Sequence, residues 1–228
     1  MPSFLTHNFS ELPEEFYTLQ DWQGFDNPKI VIENHAMKKA LGMEDVEHQE
    51  LLEIFNGAKK IYSLKPLSMV YSGHQFGQYV EQLGDGRGLL FAQINSNEGL
   101  LDIHLKGAGK TPYSRFGDGR AVLRSVIREY LCGEAMHALS IPTSRALMII
   151  GSDEMVIREK SESAAMLVRT AKTHIRFGSF EYFHYNNKPE HVKALADFCI
   201  NSYSQYFSKT TNAYEDFFRV IVKETAKM

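Results

Sequence analysis

The chain has 228 residues, of which 43% are hydrophobic and 23% charged, and its formal net charge is −3. That balance suits a folded globular protein and offers no broad basic surface to nucleic acid or to an anionic membrane. The longest apolar run, Ala146 to Ile150, is far too short to span a bilayer, and the residues after Met1 lack the basic and apolar regions of a secretory leader, so neither is expected.

The first sixty residues read as irregular and helical. Asn34 to Leu41 has the pattern of a short helix closed by Gly42, and His48 to Phe55 of another closed by Asn56-Gly57. From residue 70 the pattern changes to short apolar runs broken by glycine. Gly84-Asp85-Gly86-Arg87-Gly88 precedes Leu89 to Ile94, the polar stretch Asn95 to Gly99 turns the chain, and Leu100 to Leu105 returns to Lys106. This is a hairpin with a lysine at the end of its second strand. Residues 120–139 carry apolar side chains at helical spacing, with Asp118 placed to cap the start and Pro142 beyond the end. Three strands are expected next, Ala146–Ile150, Met155–Arg158 and Ala164–Arg169, the first two joined by a turn at Gly151-Ser152-Asp153. Asn186 to Pro189 is a break, followed by two amphipathic helices bearing Val192 to Tyr203 and Tyr214 to Val222. Helices, a mostly antiparallel sheet with one inserted helix, then helices again make an α+β chain, not a doubly wound one.

The glycine turn and Lys106 are the parts that carry chemistry. Open backbone N–H groups followed by a fixed cation would hold a polyphosphate. A plain tight hairpin explains the glycines equally well. Gly109-Lys110-Thr111 is not a P-loop, because His104 stands where its first glycine belongs and Pro112 blocks the helix that should follow. Nor are the glycines at 84–88 spaced for a dinucleotide fingerprint. Glu129 falls at the border of the apolar stripe of the 120–139 helix. From there it can orient Lys106, as in a kinase-like ion pair, or pair with Arg124 or Arg128 on its own helix. Arg169 ends an apolar strand and Arg176 follows one loop later. Two guanidinium forks in one pocket suit a polyanion, and pairing with Glu154, Glu159 or Glu181 is the structural alternative. The histidines form no HxxxH or HExxH pattern, so His74, His104, His137 and His174 read as packing or hydrogen-bonding residues. No serine lies in a G-x-S-x-G context, and the aromatics from Phe177 to Tyr185 read as core. Cys132 and Cys199 have no metal or redox spacing, so reduced thiols and a cytoplasmic setting are expected.

Several longer motifs together resemble the selenoprotein O (SelO) family. They are Tyr71 to Gly77, Gly84 to Arg87, His104 to Arg115, Asp118 to Ser125 and His174 to Glu181. The resemblance implies a protein-kinase-like (pseudokinase) N-lobe with an antiparallel sheet and inserted helix, followed by the first helices of an incomplete C-lobe. It divides the chain into an extension (1–65), a nucleotide-binding lobe (66–187) and the start of a helical lobe (188–228). It implies an adenylyltransferase that binds ATP in reversed orientation and transfers AMP to Ser, Thr or Tyr hydroxyls of proteins. Gly84, Gly86 and Arg87 match the family's glycine-rich loop, Lys106 its strand lysine and Glu129 its helix glutamate. Asp118 and Gly119 match a nucleotide-contacting pair, and Arg169 and Arg176 match two pocket arginines.

The sequence departs from the family in one respect. The Asp general base, its neighbouring Asn metal ligand and the D-Y-G-type Asp that holds Mg²⁺ have no counterpart here, nor has the C-terminal Cys or selenocysteine segment. The expectation is therefore an ATP-clamping half without base or metal ligands, inactive alone. An ATP-binding scaffold and an ordinary γ-phosphoryl kinase are the competing readings. The apolar face at Phe217, Phe218, Ile221 and Val222 is expected to be exposed and to favour self-association or pairing with a complementary lobe.

Overall fold

The computed structural model describes residues 5–22, 24–61, 64–97, 99–206 and 212–228. Its elements in chain order are β1 (Leu5–Thr6), β2 (Tyr17–Leu19), β3 (Lys29–Glu33), α1 (His35–Ala40), α2 (His48–Phe55), β4 (Leu67–Met69), β5 (Gly73–Gln75), β6 (Gln78–Val80), β7 (Gly88–Ser96), β8 (Gly99–Lys106), β9 (Ala121–Val122), α3 (Leu123–Ala138), β10 (Arg145–Ile157), β11 (Ser161–Ala171), α4 (Phe177–Tyr185), α5 (Pro189–Ser202) and α6 (Ala213–Ala226). Among the described residues, nine strands form one sheet in the order β2-β4-β7-β8-β11-β10-β3, with β1 added to β7 and β9 to β11. Every recorded pairing in it is antiparallel. The α+β class stands.

Period-two alternation sorts the central strands between two cores. On β11, Ala164, Met166 and Val168 face the core under α1 and α2, while Ala165 and Leu167 face the core under α3. A strand buried on both faces reads as a continuous apolar run, as Ala164 to Val168 does. On β8, Leu101, Ile103 and Leu105 point to the α1–α2 side. The alternate residues Asp102, His104 and Lys106 point to the other. A third core joins Phe16, Leu67, Met69 and Leu90 to Phe183 of α4 and Leu195 of α5.

Four expectations are corrected. The first sixty residues contribute three strands, of which β3, rich in β-branched residues, pairs with β10. Gly151-Ser152-Asp153 is no turn: β10 continues through a register shift there, held on either side by β3 and β11. Gly151 lets Val31 approach its backbone, and Ser152 Oγ donates to the Ala164 carbonyl at 3.1 Å. Asp118 does not cap α3, which starts at Leu123 behind Val122; its carboxylate accepts from the Arg120 N–H at 2.9 Å instead. Finally, the C-terminal half of the α3 stripe lies open, with Leu131 and Leu139 exposed.

The exposed apolar face of α6 is present at Phe218 and Val222, while Phe217 leans on Phe180 with ring centroids 6.2 Å apart. Among the described residues, no helix is long and apolar enough to cross a membrane.

Candidate functional site

The site begins with the β8 alternation. Strand pairing sets His104 opposite Arg169 of β11 and Lys106 opposite Gly88 of β7. Arg169 follows Leu167 by two, so it shares the face of His104 and Lys106. Helix α3 crosses that face and lowers Glu129 between the two cations. Lys106 Nζ donates to Glu129 Oε2, and Arg169 Nη1 donates to Glu129 Oε1 at 3.1 Å. One carboxylate thus holds both cations, with the Lys106 and Glu129 side chains only 20% and 28% exposed. Burial raises the Glu129 pKa, but Lys106 and Arg169 outweigh it and the net shift is downward. Burial lowers the Lys106 pKa against the pull of Glu129, and the nearby Arg169 and Arg87 lower it further. Glu129 therefore takes its cations from the sheet and pairs neither with Arg124 of its own helix, which is bound to Glu162, nor with Arg128.

A second, deeper layer lies beneath. Asp85 points inward from the glycine turn and is 3% exposed. Its carboxylate accepts from the Met69 N–H at 3.1 Å and lies 3.6 Å from both Arg176 Nη2 and His104 Nε2. Burial opposes its ionisation, yet His104, Arg176 and the Met69 N–H hold its pKa down at about 2. Arg176 also lies over the Tyr71 ring, 4.2 Å from the centroid, and donates to the His174 carbonyl at 2.7 Å. Burial, and then the Asp85 charge, push the Tyr71 phenol up to about 12. The His104 and His174 rings stack at 4.4 Å, and Asp102 accepts from the His174 N–H at 2.6 Å and from Gln93 Nε2 at 2.8 Å. Arg169 and Arg176 thus find Glu129 and Asp85, not Glu154, Glu159 or Glu181.

The glycine turn borders a cleft of about 630 Å³ that Gly84, Gly86, Arg87, Tyr113, Asp118 and Gly119 help to line. Gly84 has φ +58°, and a Cβ there would sit 2.3 Å from the Tyr113 ring. Gly119 has φ +72°, and a Cβ would meet the Gly109 carbonyl oxygen at 2.0 Å. Thr111 Oγ1 donates to the Asp85 carbonyl at 2.7 Å, and Ser114 Oγ to that of Gly86 at 2.6 Å. The glycines therefore admit the 109–119 loop.

They do not offer open donors. The N–H groups of Leu83 and Gly84 donate to the Tyr71 carbonyl, that of Asp85 to Met69, and that of Gly86 to Gly84. The expected backbone cradle for phosphate is absent at these four positions, because three of the donors are stitched to residues 69–71 and the fourth closes the turn on itself. Side-chain cations are what the site presents. Asp118 is bound in two-pronged fashion by Arg158, at 2.7 and 2.9 Å. Arg87 is exposed and has no ion-pair partner among the described residues.

Five of the nine expected site residues, Gly84, Gly86, Arg87, Asp118 and Gly119, line this cleft; Lys106, Glu129 and Arg169 form the ion-paired cluster on the sheet, and Arg176 lies against Asp85. Asp85, Asp102, His104, His174 and Tyr71 were not selected as site residues. The alternation of Asp102, His104 and Lys106 was the available signal for the first of these positions on β8, since polar residues on one face of an otherwise apolar strand need partners.

An α+β chain with a sheet-borne cluster of paired cations beside a glycine-lined cleft is the class that fold and site define. A family model described as "Protein adenylyltransferase SelO" matches residues 2–228. The chain belongs to this family of nucleotidyltransferases. It is 50% identical over 224 residues to the "Protein nucleotidyltransferase YdiU" of Vibrio parahaemolyticus, covering 98% of this chain and 46% of that protein. Its identity to the protein of the same description from Myxococcus xanthus is 46% over 225 residues, covering 97% of this chain and again 46% of the relative. The chain therefore spans about half the length of the curated relatives it matches.

Proposed function

We propose that this chain is the ATP-clamping half of a protein adenylyltransferase, built as a kinase-like lobe. The observation that carries the reading is Glu129 holding Lys106 and Arg169 together beside the glycine cleft. Three further groups support it: Arg176 next to Arg169, exposed Arg87 at the cleft edge, and the Asp118–Gly119 segment on the far rim.

In the reaction, a Ser, Thr or Tyr oxygen of a protein attacks the α-phosphorus of ATP. The new O–P bond forms as the bond to the bridging oxygen breaks, AMP passes to the protein and pyrophosphate leaves. Negative charge grows on the leaving oxygens. Lys106, Arg169 and Arg176 are fixed by Glu129 and Asp85 before any ligand arrives, so they meet that charge without reorganising. The reversed ATP places its terminal phosphates at this cluster.

The residues at hand do not fit a Mg²⁺ site. Among the described residues, no three His, Cys, Asp or Glu side chains stand together for a metal. Asp85, Asp118 and Glu129 each already face a cation. The same commitment leaves none of the three to take the proton from the attacking hydroxyl. We place the base and the metal ligands in the portion of the longer relatives that this chain does not span, and we expect no AMP transfer by this chain alone. That commitment also favours the second reading, an ATP-binding scaffold. Cys132 and Cys199 are both free, which suits a reducing cytoplasm. The open face of α6 suits self-association or docking of a complementary lobe.

Calorimetric titration with ATP tests the clamp. The wild-type chain should bind, and Lys106→Ala should weaken binding about tenfold or more, the loss of one charge-assisted contact. Equal affinity of the two would remove Lys106 from the phosphate site. Transfer of label from α-labelled ATP to protein, appearing only once a complementary lobe is added, separates the split enzyme from the scaffold.

A further inference from the structure

Behind the cations lies a histidine that no part of the reaction uses directly. His104 is 1% exposed and packs its ring over Gly88, where a Cβ would come within 2.4 Å of Cε1. Its two nitrogens face unlike neighbours. Nδ1 receives the Arg169 Nε–H at 3.4 Å. Nε2 points at Asp85 Oδ2, 3.6 Å away, and has no hydrogen-bond partner at shorter range.

This arrangement fixes the state of the ring. A guanidinium only donates, so Nδ1 must keep its lone pair. Asp85 only accepts when ionised, so the ring's single proton belongs on Nε2. We propose that His104 is a positioning residue held as the neutral Nε2–H tautomer, joining Asp85 of the glycine turn to the Arg169 guanidinium. Arg169 is then fixed at two atoms, Nη1 by Glu129 and Nε by His104, leaving Nη2 to face a ligand. The same ring thus stands between the turn and the arginine, 3.6 Å from Asp85 Oδ2 and 3.4 Å from Arg169 Nε.

Several surroundings agree. Burial foremost, then the charge of Arg169 and the stacked His174, push the His104 pKa well below its ordinary value. His174 has its own carboxylate in Asp102, with Nδ1 3.2 Å from Oδ2, and so does not compete for Asp85. The strand register brings the two side chains side by side, since His104 and Arg169 are direct cross-strand partners.

The ligand-binding part of this inference rests on the ATP reading; the tautomer and the Arg169 contact do not. Long-range ¹H–¹⁵N spectra of the wild-type imidazoles should show His104 protonated at Nε2 alone across about pH 5–8, where an exposed histidine titrates. Protonation at Nδ1, or a doubly protonated ring at neutral pH, would overturn the proposal. The variants His104→Asn and His104→Leu have similar outlines and differ in the acceptor. The Arg169 Nε–H signal should stay slowly exchanging in His104→Asn and become fast in His104→Leu. ATP affinity should stay within about threefold in the first and fall about tenfold or more in the second. Equal behaviour of the two variants, by either readout, would reduce His104 to packing and defeat the proposal. If His104→Leu does not fold, the wild-type tautomer and the His104→Asn signal still decide. If wild-type chain binds no ATP, the nucleotide reading fails while the spectra still judge the histidine.

Discussion

The wall and the rim of the cleft use the same residue types to different effect. On the wall, Glu129 serves Lys106 and Arg169, whose side chains are 20% and 18% exposed, and Asp85 lies against buried His104 and against Arg176, which at 33% exposed reaches out toward the rim. On the rim, Asp118 and Arg158 pair with side chains 41% and 30% exposed, and Arg87 stands free of any ion pair among the described residues. A solvated pair contributes about 0–1 kcal/mol. A desolvated one is costly to leave half-made, because the surviving charge stays buried without its partner. The difference teaches that the wall is a preset electrostatic surface, while the rim can exchange partners with little penalty.

The strongest way to break that contrast is Glu129→Ala. It strands two cations, so chemical denaturation should show a loss of about 2–3 kcal/mol, slightly below the range for wholly buried pairs. A change under about 0.5 kcal/mol would place the wall in the same class as the rim. Gly84→Ala should cost about 2 kcal/mol, since the new methyl collides with the Tyr113 ring at a positive φ. A Gly84→Ala chain with unchanged urea midpoint would mean that the 109–119 loop does not press on the turn.

Acidification sharpens the comparison next. His104 and His174 have pKa values lowered from 6.5, chiefly by burial. Between the folded and unfolded values the unfolded chain binds more protons, so their contribution is present above about pH 6.5 and is lost as pH falls below it. Each should add a slope of up to about 1.4 kcal/mol per pH unit to melting curves taken in that window. Asp85, depressed from 3.8 to about 2, acts in the same direction at lower pH, its contribution disappearing between those values. Replacing His104 by Asn should flatten the first slope; an unchanged profile would assign it to other groups. The smallest effect on stability belongs to Arg87→Ala, within about 0.5 kcal/mol. Its ATP affinity should nevertheless drop about tenfold, and parallel loss of folding and binding would move Arg87 from rim to wall.

Much of the fold could be read from periodicity. Residues 48–55 form the expected helix to the residue, and the β7–β8 hairpin and both C-terminal helices lie where the apolar spacing puts them. The reading failed where partners override local signals. Gly151-Ser152-Asp153 has the composition of a turn, yet β3 and β11 keep it extended. Strand β3 carries Ile30, Val31 and Ile32, but its short, half-exposed run lacked a neighbour in sequence to declare it. At the site, the glycine turn was visible and its use was not, because the Gly84 and Asp85 N–H groups are spent on residues 71 and 69 and that of Gly86 on Gly84.

The sequence alone settled the α+β class, the helical face that carries Glu129 and the strand ending in Lys106. Local spacing is enough for that, since the 3.6- and two-residue periods fix which side chains share a face. Only the tertiary structure decided that Glu129 takes both Lys106 and Arg169, that Asp85 turns inward to Arg176, and that His104 lies between them. Periodicity says which residues look in the same direction; it does not say which element arrives from elsewhere in the chain to meet them.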